Sequence, residues 1–312
     1  MTAARRAQVL ADVPVSITAI SQDELELLDA DHIAEALARA PGVSLHRGSG
    51  AEQLTAIRSP VLSGGAGAGS FLFLENGVPI RSAGFANING LFDAHYEIAE
   101  RIEIVRGPSG ALYGANAIHG VINVISPSPS EDLSVFAEAF GDTQERFKFK
   151  GSVSDTNGAH GFYAAASVTS EEGYRVDAGL DQQKFTLRHR YDDGGVSVDT
   201  IFSFDNLEQE TAGFIFGKAA LRDRDLRRTN DFPQAYRDAK AARLQSTIEF
   251  DAGENTRIQI TPYGRWNEMA FPQHFLPSNA LEENGHWSIG VQSAVFHEAG
   301  ALSLTAGVDA EY

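Results

Sequence analysis

The sequence contains no cysteine, which excludes a disulfide framework and a thiolate metal site alike. Positive charge is scarce: 25 Lys and Arg stand against 42 Asp and Glu, giving a net charge of -17 and a pI near 4.9. Such a chain is a poor partner for nucleic-acid backbones. No apolar run reaches the ~20 residues that a membrane helix needs. The first residues, "MTAARRAQVLADVPVSITAI", begin basic, but Asp12 and Pro14 interrupt any apolar core, so they do not read as a secretory signal. Methionine is nearly absent, with two residues, whereas glycine (30) and phenylalanine (19) are plentiful, which suggests β structure with many turns. A transmembrane β-barrel stays open, because alternating strands escape hydropathy scans.

The texture changes near residue 130. Before it, Ser21 with Glu24 fits a capping box. Ile33, Ala36, Leu37 and Ala40 follow a helical period that Pro41-Gly42 ends. Extended segments follow in "LTAIRS", "SFLFLENGVPI", "ERIEIVRG" and "GVINVIS", with a tight turn at Asn76-Gly77. Residues 1–130 therefore read as an α+β domain.

Residues 131–312 read as about nine antiparallel strands with period-two patterning. Phe147, Phe149 and Val153 alternate with Arg146, Lys148 and Lys150, and Val198, Phe202 and Phe204 alternate with Ser197, Asp199 and Ser203. Brief turns at "DTNG", "DDGG", "DAGEN" and "EAG" interleave with longer polar connections near 170–183, 205–241 and 267–285; "GDTQE" alone is brief on the long side. Alternating short and long ends suit a membrane barrel. A soluble sandwich could do the same only by chance.

No catalytic constellation emerges. "SGGAGAGS" at 63–70 lacks the Gly-Lys-Ser/Thr ending and leads into a strand, so it reads as a flexible turn and not a phosphate loop. The nine histidines show no ligand spacing, with His286 and His297 too far apart to share an ion. Asp192-Asp193 and Glu282-Glu283 read as solvated pairs. "RDRDLRRTNDF" reads first as a solvated loop, and second as an external loop whose Arg222, Arg224, Arg227 and Arg228 attract an anionic ligand. Neither enzyme activity nor a cofactor is expected.

The segments "RRAQVLADVPVSITAISQDEL", "IAEALARAPGVSL", "IRS", "FLFLENGVPI" and above all "ERIEIVRGPSGALYGANAIHGVINVIS" resemble the plug domain of TonB-dependent outer-membrane receptors, over residues 2 to 127. The remainder then resembles the first strands of the enclosing barrel. In the signature, Gly107-Pro108 reads as a turn, and Gly110, Gly114 and Gly120 as sites of close backbone approach or positive φ. The resemblance implies a cell outer membrane location, contact with outer-membrane lipid and coupling to TonB. It implies uptake of a scarce nutrient, for which a ferric siderophore is the expected ligand, with cobalamin, haem and oligosaccharides as other options. Arg58 and Arg106 are expected to lock the plug against glutamates of later barrel strands. The plug's outer loops correspond to His46–Gln53 and Arg81–Gly90, so that Arg47, Gln53, Arg81, Phe85, Asn87 and Asn89 become candidate ligand contacts. Ser59-Pro60 and His119 depart from the family's usual glycines. The family's TonB box, which adds a strand to its partner, would reduce here to the tail "MTA". Barrels of this family use about 22 strands, so the chain is expected to be a fragment of a larger product. The alternative is a plug-derived periplasmic binding or interaction module without transport.

Overall fold

A computed structural model describes residues 16–58, 71–82, 91–143, 145–274 and 276–312. Strand β1 (Ser16–Ser21) turns into helix α1 (Gln22–Leu28) at Ser21. The Ser21 hydroxyl accepts the Glu24 N–H at 3.3 Å and the Glu24 carboxylate accepts the Ser21 N–H at 3.0 Å, the capping box expected from sequence. Helix α2 (Ile33–Leu37) buries Ile33, Ala36 and Leu37, and Gly42, at φ +80°, completes the reversal after Pro41. A hairpin of β2 (Val43–Arg47) and β3 (Gln53–Ile57) follows.

The N-terminal sheet is completed by β4 (Phe71–Glu75), β5 (Val78–Pro79), β6 (Arg101–Arg106) and β7 (Gly120–Ile125), in the order β1-β6-β7-β4-β5. Only β4 and β7 run parallel. Ile20, Leu37, Ile57, Ile102, Ile104 and Ile122 pack on one side, and Leu72, Leu74, Val105, Tyr113 and Val121 on the other. A sheet covered on both faces explains the unbroken apolar runs of "FLFL" and "GVINVI". Strands β1 and β2 carry no such run and were not marked as extended by the sequence. Asn76 and Gly77 sit at φ +49° and +86°, the paired left-handed geometry of a two-residue hairpin turn.

The signature stretch forms β6, a short helix α3 (Gly110–Tyr113) and β7, with β6 and β7 antiparallel from Arg101↔Ile125 to Arg106↔Gly120. Gly114 lies at φ +77°, and a Cβ on Gly120 would sit 2.5 Å from the Val105 carbonyl oxygen. Gly110 corrects the expectation: it opens α3 without positive φ and faces open space. The turn at 63–70 lies outside the described residues.

From Ser134 the chain makes nine strands in strict sequence order: β8 (Ser134–Gly141), β9 (Arg146–Asn157), β10 (His160–Glu171), β11 (Leu180–Asp192), β12 (Val196–Gln209), β13 (Asp238–Asp251), β14 (Thr256–Pro272), β15 (Leu281–Ala299) and β16 (Leu302–Glu311). All neighbours are antiparallel. One end carries the brief turns 158–159, 193–195, 252–255 and 300–301; the other carries 142–145, 172–179, 210–237 and 273–280. The long connections are shorter than the sequence suggested. Strands β14 and β15 reach 17 and 19 residues, beyond the ~9–11 that cross a bilayer. Ladder pairing continues through polar residues such as Glu268 and Glu283 above the apolar band, so patterning alone ended these strands too early.

The two faces of this wall differ. Phe147, Phe149, Phe162, Leu187, Leu244, Trp287 and Ile289 are exposed on the outside, and Phe202 and Phe204 are half-buried on the same face. Their strand neighbours Lys184, Thr186, Ser203, Asp205, Arg243, Gln245, Arg265 and Asn267 are buried against the N-terminal domain. Apolar outside and polar inside is the reverse of a soluble sandwich.

Candidate functional site at the plug and wall interface

Charged groups hold the domain to the wall, and the carboxylates are on the domain. Glu75, at the end of β4, accepts from Arg243 Nε at 2.7 Å and from Ser203 Oγ at 2.5 Å; Arg243 Nη2 also donates to the Asp93 carbonyl at 2.9 Å. Burial alone would raise the Glu75 carboxyl pKa, but Arg243 and Ser203 outweigh it and hold it below its ordinary value. Lys184 Nζ reaches Asp93 at 3.2 Å and Glu97 at 2.9 Å, and lies 4.4 Å from the Tyr96 ring centre. Burial pushes the Asp93 carboxyl up against the pull of Lys184.

Between these pairs His95 is buried, its two ring nitrogens 2.9 Å from Thr186 Oγ1 and 3.0 Å from Ser167 Oγ. Burial, helped by Lys184, lowers its pKa to about 3, so the ring is neutral. Asp31 accepts from both Arg146 and Lys148, and Glu52 lies 2.9 Å from Arg237. Backbone carbonyls complete the seam: Pro79 accepts from Arg265 at 2.6 Å, Asn76 from Gln245 at 3.2 Å, and Ser126 from Arg188 at 2.7 Å. These contacts span β9 to β14, so the wall curves round the domain.

The sequence reading missed this seam. A signal was present, because Lys184, Arg243 and Arg265 stand at the polar parity of strands whose other parity is apolar.

The structure brings Arg58 and Arg106 together at one end of the plug sheet. Arg58 Nη2 donates to Ser16 Oγ at 3.3 Å, Ser16 pairs with Arg106 in the ladder, and Arg106 Nη1 donates to the Pro41 carbonyl at 2.9 Å. Arg58 itself holds φ +52°. Neither makes an ion pair with a wall carboxylate among the described residues.

Arg47 and Gln53 are ladder partners at the mouth of the β2–β3 turn. Arg47 is exposed and pairs with Glu35 at 2.9 Å; Gln53 is buried with Oε1 unpartnered. Their turn rests on the base of the longest connection, where Gln209 Oε1 accepts the Ala51 N–H at 2.9 Å and Ser49 Oγ donates to the Ala212 carbonyl at 3.3 Å. Arg81 is buried some distance along the chain, its pKa lowered by burial and by Arg265. Phe85, Asn87 and Asn89 lie outside the described residues, as does Ser59-Pro60.

In the longest connection Arg222, Arg224, Arg227 and Arg228 are exposed, around an Asp223 side chain that accepts from the Asp225 and Leu226 amides. Arg175, from the neighbouring connection, donates to the carbonyls of Gly213 at 2.6 Å and Thr229 at 2.7 Å, tying the two together.

A globular α+β domain bound to the polar face of a curved antiparallel wall, with lipid-compatible residues outside, is the arrangement of a plug against part of a β-barrel wall. Residues 9–121 match the family described as TonB-dependent Receptor Plug Domain. Over 162 residues the chain is 36% identical to a vitamin B12 transporter BtuB of Vibrio vulnificus, covering 51% of this chain and 25% of that protein. It is 29% identical over 240 residues to BtuB of Photobacterium profundum, covering 69% and 38%. The fold superposes on the unliganded ferric citrate transporter FecA with a TM-score of 0.78 at 16% identity, covering 96% of this chain and 47% of that one. The chain therefore spans less than half the length of each. Residues 9–121 thus form a plug domain of this family, and the nine antiparallel strands that follow share the fold of the first part of such barrels.

Proposed function

We propose that the chain forms part of an energy-coupled uptake receptor. Residues 1–130 act as the plug and residues 131–312 as the first part of the wall. A scarce nutrient binds at the end bearing the long connections and passes inward when TonB, acting from the periplasm, deforms the plug. The observation that carries this reading is the plug held to a polar inner wall by discrete, breakable ion pairs such as Glu75–Arg243.

The ligand we propose is a ferric siderophore, received by Arg47, Gln53, Arg81, Phe85, Asn87 and Asn89, with the arginines of the 210–237 connection supplying attraction for an anionic chelate. A corrinoid is the second reading, favoured by the 36% identity to a vitamin B12 transporter. Arg58 and Arg106, side by side at one end of the plug, are proposed to meet wall glutamates outside this chain.

Titration of the membrane-embedded receptor with a panel of ferric siderophores and with vitamin B12, followed by uptake in cells with and without TonB, tests both parts. TonB-dependent uptake of an iron chelate supports the first reading, and of vitamin B12 the second. Binding with no TonB-dependent uptake would favour the plug-derived interaction module instead. Replacement of Arg47 and Gln53 together should weaken binding about tenfold; unchanged affinity removes that loop from the site.

A further inference from the structure

The outer face of the wall carries one region that uniform contact with fluid lipid does not explain. Near the brief-turn end, three rows of residues run across β9, β10, β11 and β12. One row is Val153, Ala164, Leu187 and Phe202; the next is Asp155, Phe162, His189 and Thr200; the last, beside the turns, holds His160 and Tyr191. Ala164 is the small member of its row, and the bulkier side chains around it leave an apolar groove of about 460 Å³. The groove ends at His189.

There the rings form a stack of four. Phe162 lies on His189 at 4.6 Å between centres, His189 on His160 at 5.4 Å and 14°, and His160 against Tyr191 at 5.0 Å. His160 Nδ1 and His189 Nε2 are 3.1 Å apart, a hydrogen bond between two imidazoles. Two neutral imidazoles can share only one proton in that bond. If His160 Nδ1 donates, His189 must carry its proton on Nδ1, leaving an N–H there and a lone pair on His160 Nε2. If His189 Nε2 donates, the two roles exchange. Either arrangement leaves the pair one further donor and one further acceptor beside the groove. Asp155 adds an exposed carboxylate two strands away, bonded only to the Thr156 amide among the described residues.

We propose that this region is a binding site for one zwitterionic phospholipid of the phosphoethanolamine type, drawn from the leaflet that faces the periplasm. An acyl chain lies in the groove over Ala164. The headgroup phosphate accepts the remaining imidazole N–H, and the ammonium meets Asp155 and the free imidazole lone pair. Brief turns mark the periplasmic end of such walls, which puts the polar row at headgroup level. Phosphatidylglycerol has hydroxyls and no ammonium to offer Asp155, so the site discriminates between the two headgroups. The proposal does not depend on which nutrient the receptor carries.

The receptor, purified in mild detergent and exposed to vesicles of phosphatidylethanolamine or of phosphatidylglycerol, is examined by native mass spectrometry. One retained phosphatidylethanolamine is expected, with phosphatidylglycerol retained at least about tenfold less. Ala164→Leu, which fills the groove, and the His160→Leu/His189→Leu pair should each lose the lipid, while heat-modifiable migration stays unchanged and reports an intact barrel. No retained lipid, equal retention of both headgroups, or full retention in both folded variants would show ordinary annular lipid and overturn the proposal.

Discussion

Glu75 of the plug and Arg243 of the wall meet at 2.7 Å with both side chains more than nine-tenths buried. The pair joins residues 168 positions apart, so it can form only when the plug lies against the wall. Its energetic character follows from burial. Each charge has lost its hydration, and the other's presence offsets the loss. Removing one partner should therefore cost more than removing both. We expect Glu75→Ala or Arg243→Ala to destabilise the folded protein by about 3–5 kcal/mol each, and the double variant by clearly less than the sum. Denaturant unfolding in detergent across this double-mutant cycle checks it, and additive losses would count against a direct pair.

His95 makes stability depend on pH. Its pKa falls from 6.5 to about 3 on folding, and that of His32 to about 4, burial being the main cause in each. Between those limits the unfolded chain binds protons that the folded chain refuses. Stability thus declines as pH falls below about 6.5 and is independent of these groups above it. For His95 alone the loss at pH 5 is about 2 kcal/mol. Asp93, pushed up by burial, acts in the opposite sense, so His95→Gln is the control. The variant should flatten the fall in thermal midpoint between pH 7.5 and pH 5.

The signature glycines should separate in their tolerance. Gly120→Ala drives a Cβ into the Val105 backbone carbonyl of the paired strand, which cannot swing away, and against the Ile57 side chain, and should cost about 1–3 kcal/mol. Gly110→Ala meets nothing within 4 Å at the start of α3 and should be neutral or stabilising by up to about 1 kcal/mol. Thermal unfolding of the two variants side by side gives the comparison.

Phe149 tests which face meets lipid. It is exposed on the apolar side, while Lys148 and Lys150 point to the plug side at ion-pair distance from Asp31 and Glu138. Phe149→Arg should destabilise membrane insertion by about 2–4 kcal/mol, depending on depth. Folding yield into vesicles measures it. An unchanged yield would mean that this face is wetted by water.

Much of the fold could be read locally. Ser21 and Glu24 announced a capped helix, Asn76-Gly77 a tight hairpin, and alternating phenylalanines a wall with one apolar face. These features rest on neighbours within a few residues, where spacing in sequence is spacing in space. Strand β1 escaped notice because its place at the edge of the sheet, beside β6, depends on a partner some 85 residues away. The ends of β14 and β15 escaped because hydrogen-bond pairing, not hydrophobicity, extends them.

The site was less legible for the same reason. Sequence pointed to Arg58 and Arg106, which lie together at one end of the plug, but it did not pair Glu75 with Arg243 or Asp93 with Lys184. By itself the chain determined the order of its parts, a stopper first and then amphipathic strands, because periodicity and turn chemistry are local properties. Only the tertiary structure decided which charges meet across the seam and which histidines stack on the outer face. Strand register and wall curvature bring those groups together, and both are set by contacts between segments far apart in the chain.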